Sequence, residues 1–186
     1  MTATEKTRFL GVEGERLAAE VLAENGYENV SNLNHDKTNY PFADLYAEKD
    51  GKKFVISVKT RNKYTKYGAL NSSYNLGSNA YENAEFAKKD KGAEAYWMGV
   101  QIDRETFSIF FGSLDELAGK EQIPVKLASD GQVGICLVED RPHSIPYAKF
   151  GNAAPSKEIE QNSHVLWLVI VIILLVGYIV TDKLLL

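Results

Sequence analysis

Cysteine is nearly absent: Cys136 is the only one in the chain. A single thiol excludes an intramolecular disulfide framework and a cysteine-rich zinc site, and it fits a reducing compartment. An excess of positive charge is also missing. The formal net charge is −4, so no global basic field draws this chain to nucleic acid, and any such contact must come from a local patch. The first residues, MTATEKTRFLGVEGERL, contain no apolar run, so a secretory leader is not expected. There is no P-loop, GxGxxG, HExxH or paired CxxC pattern, which argues against nucleotide hydrolysis, dinucleotide redox chemistry and zinc proteolysis. His35, His143 and His164 are too scattered to suggest a ligand cluster. Low-complexity tracts and internal repeats are absent as well.

What is present is a chain of 186 residues, 45% hydrophobic and 25% charged, enough for one medium domain with its own core. Residues 1–150 are read as that domain and 151–164 (GNAAPSKEIEQNSH) as a linker. Val165 to Val180 is an uncharged apolar run of 16 residues. As a helix it is about 24 Å long, a little short of a roughly 30 Å hydrocarbon core. Thr181 extends it, Lys183 can snorkel, and Trp167 and Tyr178 lie near its two ends. The expectation is a single-pass tail anchor over 165–181, followed by the short tail 182–186, with the N-terminal domain in the cytoplasm. Removing the tail's charges leaves the balance upstream at −4.

Within the domain, Leu10, Leu17, Ala18, Val21 and Leu22 make one stripe of a helix over Thr7–Asn25, stopped by Gly26. A short strand is expected over Tyr27–Leu33, a second helix over Tyr81–Lys91, and a hairpin from Ala95–Ile102 and Thr106–Phe111. Ser113-Leu-Asp-Glu116 has capping-box spacing for a short helix. From Lys120 to Lys149 only one strand, near Val133–Val138, stands out. The sum is a mixed α/β domain with one central sheet.

The stretch richest in chemistry is PFADLYAEKDGKKFVISVKTRNKY, Pro41 to Tyr64. Asp50-Gly51 suits a type I′ turn, which needs positive φ at both central positions. That turn pairs Lys49 with Lys52 and sets Asp44 opposite Ser57. Alternation then puts Asp44, Tyr46 and Glu48 on a polar face with Lys53, Val55, Ser57 and Lys59, and leaves Leu45, Ala47, Phe54, Ile56 and Val58 to face the core. Basic and aromatic residues interleave just beyond, from Lys59 to Tyr81, including Arg61, Lys63, Tyr64, Lys66, Tyr67 and Tyr74. Such a stretch can hold phosphates and stack bases, or it can be a solvated loop with tyrosines packed on the domain.

An acid on one strand and, after a hairpin, a second acid position followed by any residue and lysine resembles the PD-(D/E)XK nuclease superfamily. Asp44 matches the first acid, Ser57 stands at the second acid position, and Lys59 matches the lysine. Gly14-Glu15 resembles the first-helix pair found in several branches. The likeness spans about residues 8–112, and its motifs are short. It implies a restriction-endonuclease-like fold, a mixed central sheet flanked by helices, and phosphodiester hydrolysis with Mg²⁺ or Mn²⁺. It implies that Asp44, Glu15 and the Val58 carbonyl hold the metal while Lys59 assists water and phosphate. It also implies nucleic acid as partner, DNA ahead of RNA, and a homodimer as in many of these enzymes; the expected contacts are Arg61, Lys63, Tyr64 and Lys66 of the interleaved basic and aromatic stretch. Ser57 departs from the pattern and removes one negative charge, unless Glu15, Glu48, Glu82 or Glu85 compensates. A silent nucleic-acid-binding module on the same fold and a membrane-anchored protein-interaction domain stand as alternatives.

Overall fold

The structure, a computed structural model, describes residues 2–36, 38–125, 134–146 and 149. The linker and the anchor segment expected over 151–181 lie outside these residues. No helix among the described residues is long and apolar enough to cross a membrane.

Helix α1 (Ala3–Glu24) starts four residues earlier than its apolar stripe suggests. The cause is a capping box: Glu5 N–H donates to Thr2 Oγ1 at 3.2 Å, and Thr2 N–H donates to Glu5 Oε2 at 2.7 Å. Its buried face is Leu10, Gly14, Leu17, Ala18, Val21 and Leu22, and Gly26 ends it at φ 80°. Strand β1 (Glu28–Asn32) and a single helical turn, α2 (Leu33–Asp36), lead into β2 (Leu45–Lys49) and β3 (Lys52–Asn62). Then follow β4 (Ser73–Asn75), α3 (Ala80–Lys91), β5 (Glu94–Ile102), β6 (Thr106–Ser113), β7 (Gln122–Pro124) and β8 (Ile135–Pro142). The capping box expected at Ser113 is not formed. Ser113 Oγ accepts from Asp115 N–H at 3.2 Å, two residues on, and only one 3₁₀ turn (Asp115–Leu117) results.

Six strands form one sheet in the order β1-β2-β3-β5-β6-β8, while β4 and β7 pair separately. Only β3 and β5 run parallel, in register from Phe54↔Glu94 to Asn62↔Ile102, and α3 lies on the crossover between them. The other pairs in the sheet are antiparallel. On one face α1 covers Leu45, Ala47, Ile56, Val58, Met98 and Val100. On the other, Ala84 and Ala87 of α3 pack with Val55, Ala95, Trp97 and Phe110. Both faces are therefore covered, as parallel pairing with a helical crossover requires. This corrects the amphipathic hairpin expected above: Val55 and Ser57 are buried, not on a solvated face.

Candidate active site

Asp50 (φ 51°) and Gly51 (φ 74°) fold β2 back on β3 in the expected register, Lys49↔Lys52 through Leu45↔Ile56. The ladder ends there, one pair short of Asp44. Asp44 N–H donates to the Ile56 carbonyl at 2.9 Å, its own carbonyl accepts from Leu33 N–H at 2.9 Å, and its carboxylate turns to Val58, whose N–H donates to Oδ2 at 2.7 Å. Asp44 is thus anchored by backbone on both sides instead of standing across from Ser57. Burial pushes its carboxyl above the ordinary Asp range. The Lys59 ammonium, the Val58 amide and the Asn34 amide pull it back only in part.

Glu15 arrives by close packing. A β-carbon on Gly14 would meet Thr60 Oγ1, so α1 rests on β3 at this point with nothing between. The next residue, Glu15, is thereby brought to the end of β2–β3 where Asp44 and Lys59 lie. Two asparagines then link the carboxylates. Asn32 Nδ2 donates to Glu15 Oε2 at 2.7 Å, Asn34 N–H donates to Asn32 Oδ1 at 2.9 Å, and Asn34 Nδ2 reaches Asp44 Oδ1 at 3.4 Å. Asn34 Oδ1 in turn accepts from Tyr40 N–H at 3.1 Å.

Glu15, Asp44 and Lys59 line one open cleft of about 580 Å³. Its facing wall is the crossover: Gly77, Ser78, Asn79 and Asn83. Asn39 (φ 57°) and Phe42 (φ 65°) also line the cleft, and positive φ on a bulky residue such as Phe42 marks local strain of about 1–3 kcal/mol. Ser57, 1% exposed, is buried and does not line the cleft. Of the acids that could compensate, Glu15 lines the cleft and the other three do not. Glu48 accepts from Tyr46 Oη and Asn29 Nδ2 farther along the hairpin, Glu85 pairs with Lys88 at 2.8 Å, and Glu82 is exposed outside the cleft lining. Among the described residues no group of three or more His, Cys, Asp or Glu is placed to hold a metal.

The carboxylates that line the cleft, Glu15 and Asp44, are hard ligands, while Val58 is buried and does not line it. They fit Mg²⁺, which keeps several waters and is held by one or two carboxylates, and do not fit an all-protein cage or a soft metal. Val58 N–H points to the Asp44 edge of β3, and in an extended strand the carbonyl of the same residue faces that edge too.

Arg61, Lys63, Tyr64 and Lys66 lie past the cleft and do not line it. Lys63 is tied to Asp140 at 2.6 Å, and Arg61 Nη1 donates to the Thr60 carbonyl at 2.9 Å. Tyr74 is buried at 2% exposure, and Tyr81 Oη donates to the Lys120 carbonyl at 2.8 Å. The residues that sequence reasoning missed are Asn32, Asn34, Asn79 and Asn83. The only signal was amide density in NVSNLN and SNAYEN, which by itself reads as turn and loop chemistry.

No protein-family model and no curated protein matches the chain. Among solved structures, Hjc, a Holliday junction resolvase from the archaeal hyperthermophile Archaeoglobus fulgidus, is similar at 21% identity. The match covers 62% of this chain and 84% of that one with a TM-score of 0.43.

Proposed function

We propose that this chain is a divalent-metal-dependent nuclease-like domain of the PD-(D/E)XK type, hydrolysing phosphodiester bonds of nucleic acid and tethered to a membrane through 165–181. The observation that carries this reading is the convergence of Glu15, Asp44 and Lys59 on one cleft from three separate elements of the chain. Asp44 and Glu15, with the Val58 carbonyl, would hold Mg²⁺ or Mn²⁺. When bound, the cation supplies polarisation of the phosphate and a more acidic water. The chain's own contributions are separate. Lys59 offsets charge developing on phosphoryl oxygens and orients the attacking water. Val58 N–H and Asn34 keep the Asp44 carboxylate aimed, and Asn32 does the same for Glu15. The raised Asp44 carboxyl supports the reading, because a carboxylate held partly out of water gains from a cation beside it.

The test is cleavage of DNA and RNA by the full chain with Mg²⁺ or Mn²⁺. The expected result is metal-dependent cleavage abolished by Asp44→Ala and by Lys59→Ala; cleavage that survives Asp44→Ala would falsify the assignment. The neutral, buried Ser57 favours a second reading, a silent nucleic-acid-binding module. Binding that falls steeply with salt, needs no divalent cation and leads to no cleavage would select it. The membrane tether is tested by carbonate extraction of the full chain, with release of a chain truncated after residue 150 as the expected contrast.

A further inference from the structure

Between β3 and β4 the chain makes a finger, residues 63–71, with an ordered interior. Tyr64 bridges to Leu70, Thr65 N–H donates to the Ala69 carbonyl at 2.8 Å, and Thr65 Oγ1 accepts from Tyr67 N–H at 3.3 Å and Ala69 N–H at 3.2 Å. Its base is fastened to the sheet. Asn71 N–H donates to the Lys63 carbonyl at 2.9 Å, and Gln101 Nε2 donates to the Asn71 carbonyl at 2.8 Å. A loop so braced has already lost much of its conformational freedom. Yet the residue at its tip, Tyr67, is 83% exposed, so the order does not serve to bury that ring. Lys66 Nζ lies over one face of the same ring, 4.8 Å from its centre, and leaves the other face for a base.

We infer that this finger is a stacking post for an unpaired nucleobase, with Lys66 taking the neighbouring phosphate. The inference rests on the nucleic-acid reading of the cleft. A flat ring with a cation beside it matches a base followed by its phosphate, and the face of a base is open to such a ring only where the base is not stacked in a duplex. The placement is consistent. The finger continues directly from the strand that carries Lys59, and eight residues separate Lys59 from Tyr67, a reach of at most about 28 Å at full extension. The substrate class is therefore single-stranded nucleic acid or a duplex with displaced or unpaired nucleotides, engaged within about eight nucleotides of the cleft at 3.4 Å per nucleotide.

The experiment uses the full chain without divalent cation. It measures anisotropy of a labelled oligothymidine and of a blunt duplex, from 50 to 200 mM salt. Tyr67→Ala is expected to weaken single-strand binding about fivefold to a hundredfold and to leave duplex binding unchanged, while Tyr67→Phe stays within about twofold of the parent. Lys66→Gln is expected to flatten the salt slope for the single strand by about 0.7, which Tyr67→Ala does not do. Equal single-strand affinity in Tyr67→Ala and parent, or an equal loss on both nucleic acids, overturns the finger and leaves the cleft reading intact if the parent still cuts with Mg²⁺. A parent chain that binds neither form and cuts neither removes both proposals. All three substitutions lie at exposed positions, so misfolding does not confuse the result.

Discussion

A β-carbon on Gly14 would lie 1.8 Å from Thr60 Oγ1, so helix α1 and strand β3 meet at the one residue that has no side chain to keep them apart. Gly14→Ala forces that contact open. It is expected to destabilise the domain by about 1–3 kcal/mol, as overpacking does, and to withdraw Glu15 from the cleft. Urea denaturation reads the first effect and the cleavage assay the second. Adding Thr60→Ala to the same chain should restore part of both, since the hydroxyl and methyl that the new β-carbon meets are then gone.

On the proposed reading, Asp44 sets function against stability. Its folded-state carboxyl is raised by burial, so the folded chain holds the proton more tightly than the unfolded one, and the ionised group costs stability at neutral pH. That penalty is complete above the folded-state titration and fades as pH falls through it. Asp44→Asn is therefore expected to abolish cleavage and to gain in melting temperature relative to the parent through loss of this penalty, a gain offset by the one donor, Val58 N–H or Asn34 Nδ2, that the new amide leaves without an acceptor. The gain should shrink as pH is lowered toward the carboxylate range. Thermal unfolding at several pH values checks it.

Lys63 and Asp140 form the opposite case. The hydrogen bond from Lys63 holds the Asp140 carboxyl below the usual range, and Asp140 raises Lys63 in spite of the burial that acts the other way. The depressed acid adds stability above the unfolded Asp value of about 3.9 that is lost as pH falls through its folded value. The raised lysine adds stability below about 10.4 that is lost as pH rises through its own. Asp140 is half exposed, so solvent screens the pair and less than about 1 kcal/mol is expected from Asp140→Asn at pH 7. Asp140→Ala should cost more, because φ at this position is 45° and asparagine tolerates it where alanine does not. Chemical denaturation of both variants separates charge from backbone.

Ser57→Glu places an acid at a buried position, the one that the proposed reading assigns to the second motif acid. Without metal the new carboxylate has lost its water, and the variant is expected to be less stable than the parent by about 1–3 kcal/mol. With Mg²⁺ the loss should be partly recovered, because a ligand that binds only the folded state stabilises it. The measurement is the shift in melting temperature on adding Mg²⁺. An equal shift in parent and variant would show that position 57 does not reach the metal.

Asn32 and Asn34 orient carboxylates and contribute no charge. Asn32→Ala leaves Glu15 without that donor, and a loss of about 10- to 100-fold in Mn²⁺ affinity is expected, the usual effect of removing a group that steers a ligand. Titration calorimetry with Mn²⁺ reads it. Asn32→Ser, which keeps a short donor, should recover part of the loss.

The sequence was readable where the signal is local. Asp50-Gly51 admits few turns, so the pairing of Lys49 with Lys52, and through it the position of Asp44 beside β3, followed from two residues. The α1 stripe was equally plain. The second face of the sheet was not, because α3 buries only Ala80, Ala84 and Ala87. Three alanines raise little apolar periodicity, yet they let the helix sit close enough to cover Val55 and Trp97. Ser57 looked solvated for that reason. The asparagine links were hidden too, since an amide that steers a carboxylate has the same letter as one in a loop. Likewise β7 takes its place from a partner distant in the chain, Tyr74 of β4, and not from its own periodicity, whereas the strand expected near Val133–Val138 is found as β8 (Ile135–Pro142).

The parallel pairing of β3 with β5 has a kinetic consequence. Nine residue pairs must zip together across a connection that runs from residue 63 to residue 93, and chain closure over that length precedes any reward from the ladder. The hairpin bearing Asp44 and Lys59 needs no such closure. During folding the acid and the lysine are therefore expected to be neighbours before the wall formed by Gly77, Ser78, Asn79 and Asn83 exists, and the pocket arrives with the last long-range step. The same order in reverse makes excursions of the crossover an opening event of the cleft: amide exchange in α3 should outpace that in β2 and β3.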